Sequence, residues 1–385
     1  MTPPVRVREL APDESLTRFI DLSWRFNADD PHWIAPLRMT LRTVLNRRKH
    51  PFHQHAEVAY FLAERGNDAV GRIAAVVNHA HNDFHDERSG FFGFFECEDD
   101  PATAAALLDA AADWLRAGGM ERVRGPTNLS TNEEASSPGI LIDGFDTPPV
   151  ILMSHNPPYY RRLIEGAGFE KARDLLAYRI PTATPPERAV RGMERILKRE
   201  GATIRSLDMG RFAQEVATIQ RIYNAAWQRN WGFIPMTGAE IEHMAKELKP
   251  VVDPALCLFA EVDGQAVGSS LALPDLNQAL RHLPSGKLFP FGIFRLLWER
   301  RKIDRLRVIT LGLEPGWQKS GLGAALYVNT FQRGAPLGYR WAEASWILED
   351  NLEMRRPLEK MGADAYKTYR VYERACEKYA QGHES

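Results

Sequence analysis

The chain has 385 residues, with 49 Lys+Arg against 50 Asp+Glu and a formal net charge of −1. So balanced a chain carries no global basic field to recruit nucleic acid, and its length exceeds the usual size of one compact domain, so two domains are expected. Three cysteines, Cys97, Cys257 and Cys376, are too few and too scattered for a disulfide framework or a C-x-x-C metal clip, which points to a reducing compartment.

The N-terminal run MTPPVRVREL lacks an apolar signal core, and nowhere does the ~20-residue apolar stretch of a membrane span occur. A cytoplasmic protein is expected. Strand-like runs follow at Val58 to Ala63, Ala69 to Asn78 and Gly90 to Glu96. Between the last two, His79, His81, Asp83, His85 and Asp86 crowd together, but their spacing does not suit a helical metal clip. The stretch reads as a solvated loop, and no metal is expected. The turn Glu96-Cys97-Glu98-Asp99-Asp100-Pro101 opens a helix-like run to Arg116. Its four carboxylates would repel a phosphate, and they equally suit the first turn of a helix.

Strand-like Arg122 to Gly125 leads into GPTNLSTNEE at 125–134, and a second polar loop, HNPPYY, occupies 155–160. Long loops rich in Asn, Glu, His and Tyr are common places for binding groups, which makes Asn128, Asn132, Glu133, His155 and Tyr159 candidate substrate contacts. Turn chemistry accounts for the Asn and Pro residues as well. Helix-like Tyr159 to Gly168 and strand-like Ala172 to Ile180 close this half. The run from Arg179 to Gly201 carries Pro181, Pro185 and Pro186 before a charged helix and reads as a connector. The expected domains are therefore 1–184 and 185–385.

After strand-like Val267 to Leu273 comes an insertion, Pro274 to Asp304. Within it Phe291, Phe294, Leu297 and Trp298 align at helical spacing, while Arg295, Arg300, Arg301, Lys302, Arg305 and Arg307 outnumber Glu299 and Asp304. An interfacial membrane helix, or a cover over an acyl chain, is written this way, and so is a core helix. On the first two readings Phe291, Phe294 and Trp298 are substrate-binding candidates, and residues 288–302 make peripheral contact with the inner membrane.

From Val308 to Leu326 an apolar run, VITLGL, turns through Gln318-Lys319-Ser320-Gly321-Leu322-Gly323-Ala324 into a helix-like run ending near Gly334 and Pro336. Unpaired N–H groups and the positive end of the helix dipole can receive a phosphate there, and Gly321 and Gly323 remove side chains that would block it. Strand-like Tyr339 to Ile347, an amphipathic segment from Asn351 to Gly362, and strand-like Ala365 to Tyr372 follow.

The Q-x-x-G-x-G/A pattern between strand and helix resembles the acyl-CoA loop of the GNAT (GCN5-related N-acetyltransferase) superfamily, over roughly Ala202 to Glu373. The first half repeats the order of elements with the acidic turn in place of the glycine loop, so the chain resembles tandem GNAT proteins whose first domain is degenerate. That resemblance implies an α/β fold, a mixed sheet with flanking helices, built as two tandem domains with one acyl-CoA site. It is also similar to two-domain bacterial proteins that resemble the bacterial type of ceramide synthase, which implies N-acylation of a sphingoid-like amine.

On the GNAT plan, acyl-CoA or acetyl-CoA is the co-substrate. It is held by Leu311, Leu313, Gln318, Lys319, Ser320, Gly321, Leu322, Gly323, Ala324 and Asn351, in a splay between strands equivalent to Arg307–Leu313 and Tyr339–Ile347. A strand N–H there meets the thioester carbonyl. Glu343, amid apolar neighbours, is the first choice for general base, with a raised pKa if buried, and Glu314 is the second. Many GNAT enzymes place a Tyr general acid seven residues after the Asn; here that position is Leu358, with Tyr366, Tyr369 and Tyr372 as substitutes, Tyr369 being the one put forward. Three functions fit: an acyl-CoA-dependent N-acyltransferase with a lipid amine or long acyl chain, an acetyltransferase for a polar metabolite or protein amine, and a non-catalytic CoA-binding protein.

Overall fold

The computed structural model describes residues 3–130, 132, 138–181 and 185–377. Glu133, a candidate substrate contact, lies outside the described residues. The chain divides into two compact units: the first is Met1–Leu175 with Leu280–Leu296 and Lys367–Ser385, the second Leu176–Ala279 with Leu297–Tyr366. The middle of the 274–304 insertion thus belongs to the first unit.

The chain runs through β1 (Val5–Glu9), α1 (Thr17–Asn27), α2 (Arg38–Val44), β2 (Ala56–Arg65), β3 (Asp68–Asn78), α3 (His79–His85), β4 (Ser89–Cys97) and α4 (Pro101–Ala117). Next come β5 (Arg122–Gly125), β6 (Ile140–Asp143), α5 (Tyr160–Gly166), β7 (Glu170–Pro181), α6 (Glu187–Glu200), β8 (Ala202–Ser206), α7 (Phe212–Ala226) and α8 (Gly238–Leu248). It ends with β9 (Cys257–Val262), β10 (Gln265–Pro274), α9 (Asn277–Leu280), α10 (Gly292–Glu299), β11 (Arg305–Leu313), α11 (Leu322–Gly334), β12 (Trp341–Leu348), α12 (Leu352–Lys360) and β13 (Asp364–Ala375).

In the first unit β1 to β4 form an antiparallel meander, β5 pairs parallel to β4, and the end of β13 pairs antiparallel with β5. Strand residues alternate between two buried faces. Ala59, Phe61 and Ala63 pack with Leu107, Leu108, Ala111 and Leu115 of α4, whereas Tyr60 and Leu62 pack with Phe19, Ile20 and Leu22 of α1. The acidic turn caps α4: Asp100 accepts from the N–H groups of Ala102 and Thr103, each at 3.2 Å, and Arg65 pairs with Glu98 and Asp100. One expectation is corrected here. The histidine stretch is the helix α3 rather than a loop, because the Asn78 side chain accepts from His81 N–H at 3.1 Å and supplies an N-cap. Burial of His81 within this helix depresses its pKa to about 4.

In the second unit β8 to β11 are antiparallel and β12 is parallel to β11. Leu322 and Leu326 of α11 lie on Leu258, Ala260 and Val267, while Tyr327 and Phe331 lie on Leu306, Val308, Ala342 and Ala344. Among the apolar clusters of the other side, Ile222 of α7 packs with Cys257 and Phe259.

The two units share one irregularity. On β11, Leu271 faces Thr310 but Ala272 faces Val308, so Ile309 is an extra residue, a β-bulge. On β4, Arg72 faces Glu96 but Ala74 faces Gly93, so the same bulge recurs, and Phe94 within it has φ +48°. In the first unit the bulge is filled by its own chain. Phe94 N–H donates to Asn128 Oδ1 at 2.7 Å, Thr127 N–H donates to Phe92 O at 2.8 Å, and a Cβ on Gly93 would stand 2.3 Å from Thr127 O.

Asn128→Ala leaves the Phe94 amide without its acceptor, and urea unfolding should report a loss of about 1–3 kcal/mol, the usual cost of an unmet buried donor. Unchanged stability would show that the bond contributes nothing to the filled bulge.

Candidate active site

Just before Ile309 the parallel pairing of β11 with β12 stops. Partners run from Arg305↔Trp341 to Val308↔Ala344 and no further, although β11 continues to Leu313 and β12 to Leu348. The strands separate where the bulge redirects β11. Trp346, in the part of β12 beyond its pairing with β11, has φ +61°, a conformation costing a bulky residue roughly 1–3 kcal/mol. On the β11 side the gap is walled by Trp227, which follows α7: a Cβ on Gly312 would stand 2.3 Å from its ring.

At the start of α11, Gly321 is the N-cap with φ +86°, which only glycine adopts without strain. Ser320 Oγ accepts from Leu322 N–H at 3.1 Å and donates to Trp317 O at 2.6 Å. Among the described residues no acceptor meets the N–H groups of Gln318, Lys319, Gly321, Gly323 or Ala324. Gln318, Lys319 and Ala324 are exposed, whereas Leu322 is fully buried as the helix's first core residue. A Cβ on Gly321 would stand 3.1 Å from Ile196 of α6, whereas one on Gly323 would make ordinary contact with Leu311 and Leu313 at 3.6 and 3.7 Å, so it is the backbone angle of Gly321 that demands glycine here. Five free donors at a positive helix end fit a pyrophosphate. The thioester end of an acyl-CoA would then lie along β11, at the strand gap.

Two buried polar groups come from facing positions one step before the strands separate. Arg307 and Glu343 are register partners on parallel strands, so their side chains leave the same face of the sheet; both are fully buried. Arg307 Nε donates to Ser345 Oγ at 2.8 Å, and its guanidinium lies 4.6 Å from the centre of the Trp346 ring. The Tyr366 hydroxyl donates to Glu343 Oε2. A carboxylate tied to a phenol can accept a proton from one reacting group and return one to another.

The other sequence candidates take different places. Glu314 is ion-paired with Arg221 of α7, which also donates to Ala266 O at 2.8 Å. Asn351 caps α12, accepting from Met354 N–H at 3.2 Å. Leu358, at the position where the GNAT resemblance implies a Tyr acid, is fully buried among Leu306, Val308 and Ala363. Tyr369 is fully buried in the first unit, opposite Leu141 of β6. In that unit Asn128 fills the bulge, buried Asn132 donates its N–H to Ser130 Oγ at 3.1 Å, and the Tyr159 hydroxyl donates to Cys97 O at 2.8 Å. His155, with its side chain buried, meets Asp30 Oδ2 through Nε2 at 2.9 Å, and its Nδ1 has no partner among the described residues. Burial, ahead of the raising effect of Asp30, lowers its pKa and favours the neutral ring. Phe291, Phe294 and Trp298 are exposed.

Ser345 and Trp227 were not singled out by the sequence, Tyr366 stood there only as a substitute behind Tyr369, and Arg307 only as a basic residue beside the insertion. For Arg307 and Ser345 the available signal was a charge and a hydroxyl inside apolar strands.

No family model matches the chain. It is 44% identical over 368 residues to the protein named bacterial ceramide synthase of Caulobacter vibrioides (strain NA1000 / CB15N), covering 94% of each chain. It is 36% identical over 381 residues to protein YghO of Escherichia coli (strain K12), covering 96% of this chain and 95% of that one. Among solved structures, a tandem GNAT protein from the clavulanic acid biosynthesis pathway matches with TM-score 0.56 at 10% identity, over 98% of this chain and 100% of that one. A GCN5-related N-acetyltransferase from Sphaerobacter thermophilus matches with TM-score 0.52 at 16% identity, over 98% of each. At such identities these two structures establish the fold.

Gly321→Glu strains the backbone angle that shapes the turn and adds an anionic side chain to it, starting against Ile196 of α6. Calorimetric titration should show CoA affinity falling roughly a hundredfold, equivalent to losing two charge-assisted hydrogen bonds, with far-UV circular dichroism unchanged. Retained affinity in a folded variant would remove the turn from CoA binding.

Proposed function

The chain belongs to the family that holds the bacterial ceramide synthase of Caulobacter vibrioides and protein YghO of Escherichia coli, and it has the tandem GNAT fold; we propose that it transfers a long-chain acyl group from acyl-CoA to a sphingoid-like lipid amine. The observation that carries the acyl-CoA part is the opening of β11 from β12 directly ahead of the free N–H groups at Gln318–Ala324. The acceptor class rests on the relative named a ceramide synthase, since a ceramide is an N-acylated sphingoid base.

The chemistry needs the amine unprotonated, the carbonyl oxygen stabilised and the two reactants held together, and positioning alone can supply about 7–11 kcal/mol in favourable cases. The amine nitrogen attacks the thioester carbonyl carbon, a backbone N–H of the unpaired end of β11 meets the developing oxyanion, and the C–S bond breaks. Glu343 is the base that receives the amine proton. Tyr366, bonded to Glu343, gives its proton to the departing CoA thiolate and recovers one from the carboxyl group. Buried Arg307, held by Ser345 and the Trp346 ring, keeps positive charge on the face that Glu343 shares. Leu358 cannot act as an acid, so Tyr366 takes the part that the GNAT resemblance gives to a helix Tyr.

CoA release followed with a thiol reagent should be fastest with palmitoyl-CoA and sphinganine, with the amide identified by mass spectrometry. Glu343→Gln and Tyr366→Phe should each lower kcat by roughly 10²–10⁴-fold, the usual contribution of a positioned acid or base. Turnover confined to acetyl-CoA and polar amines would replace the lipid reading with the metabolite one. Full activity in Glu343→Gln would take this carboxylate out of the mechanism.

A further inference from the structure

Half of the ten large apolar side chains that stand exposed in the described chain lie within residues 289–298. Phe289 is 69% exposed, Phe291 78%, Phe294 69%, Leu297 51% and Trp298 61%. This is the same 274–304 insertion whose aromatic spacing fitted three readings, and the exposure rules out the core helix. A core helix would bury this face. In α10 it is Ile293 and Leu296, on the other side of the helix, that are half-buried.

The exposed tip stands on a fixed base within the first unit. Trp24 Nε1–H donates to Pro284 O at 2.7 Å, Arg38 Nε donates to Ser285 O at 2.9 Å, and Arg38 N–H donates to Gly286 O at 3.0 Å. Gly286, with φ +65°, is wedged so closely that a Cβ would stand 2.4 Å from Pro36 O and 2.6 Å from the Trp24 ring. The turn into α10 is equally close: Ile293 N–H donates to Leu288 O at 2.6 Å, and a Cβ on Gly292 would meet Lys287 O at 2.2 Å. The aromatics are therefore displayed by an anchored segment.

Charge identifies what the face suits. Between residues 281 and 302 stand six basic residues, Arg281, Lys287, Arg295, Arg300, Arg301 and Lys302, against one acid, Glu299. That acid is already paired with Lys302 at 2.9 Å, and Arg300 donates to Pro250 O at 2.7 Å. Lys287, Arg295 and Arg301 are exposed in the same segment as the aromatic residues and have no ion-pair partner among the described residues. Among the described residues no helix is long and apolar enough to cross a membrane, so a bilayer contact here lies on the surface.

We propose that residues 287–302 form a docking surface for an anionic lipid bilayer. Phe289, Phe291, Phe294 and Trp298 enter the boundary between headgroups and acyl chains, and Lys287, Arg295 and Arg301 meet headgroup phosphates. The surface stands on its own exposure and charge; that it brings the enzyme to a membrane-resident amine rests on the lipid reading of the function.

The test is sedimentation of the full chain with vesicles, without CoA or amine. The wild-type protein should pellet with mixed phosphatidylglycerol and phosphatidylcholine vesicles and far less with phosphatidylcholine alone. Combined Phe291→Ser, Phe294→Ser and Trp298→Ser should lower that binding more than tenfold, with circular dichroism and CoA affinity unchanged. Charge reversal at Lys287, Arg295 and Arg301 should remove the preference for anionic lipid, at roughly fivefold in affinity for each basic residue lost. A wild-type chain that stays in the supernatant with both vesicles, or a serine variant that binds as well as wild type, overturns the proposal. So does a concentration-dependent dimer in analytical ultracentrifugation that the serine variant abolishes, without vesicle binding, since the face would then join two copies of the chain. Vesicle binding without acyl transfer in detergent micelles would sink the functional reading and leave the docking surface standing, and transfer without vesicle binding would do the reverse.

Discussion

Two parallel strands that part midway leave backbone N–H and C=O groups facing an empty ladder, and buried groups of that kind cost free energy unless something else meets them. In the second unit this happens after Val308 and Ala344, at the bulge centred on Ile309. The features around the gap follow from that separation. Trp227 closes on the glycine backbone of β11, Trp346 adopts a strained φ on β12, and the Gln318–Ala324 turn follows at the end of the opened strand. A sheet paired along its full length would have no place for a thioester between these strands, however well the turn bound a phosphate.

The first unit shows what the same plan becomes once the opening is filled. Its bulge is retained at Phe94, but Asn128 and Thr127 satisfy the amide and carbonyl there, and its helix is capped by Asp100 instead of offering free N–H groups. Carboxylates paired to Arg65 and Arg162 occupy the turn where phosphates would lie. Sterics and charge act together: the strand gap is taken by the chain itself, and the helix end repels anions. This contrast between the units supports the proposal of one acyl-CoA site in the chain.

Much of the fold was legible in the sequence because it is local. Apolar runs with Gly and Pro at their ends gave the strands, and Gly321 with Gly323 after β11 marked the turn, where the φ of +86° at Gly321 is one that glycine adopts without strain. The histidine stretch was misread because one asparagine side chain, Asn78, decides between loop and helix. The polar residues before the gap were half legible. Glu343 stood out as an acid among apolar residues, but its partner Tyr366 lies 23 positions away on another strand. Arg307 looked like one more basic residue of the insertion until register placed it beside Glu343. Likewise, nothing local tells that residues 280–296 fold with the first unit, because their anchors, Trp24 and Arg38, lie about 250 positions earlier.

The central claim is that the chain holds one acyl-CoA, between the opened strands and the glycine turn of the second unit. Hydrogen exchange with and without CoA, combined with calorimetric stoichiometry, tests it most directly. The account predicts one CoA per chain, with protection confined to residues 309–313 and 318–326 and no change over residues 93–101. Two molecules per chain, or protection at the acidic turn of the first unit, would contradict it.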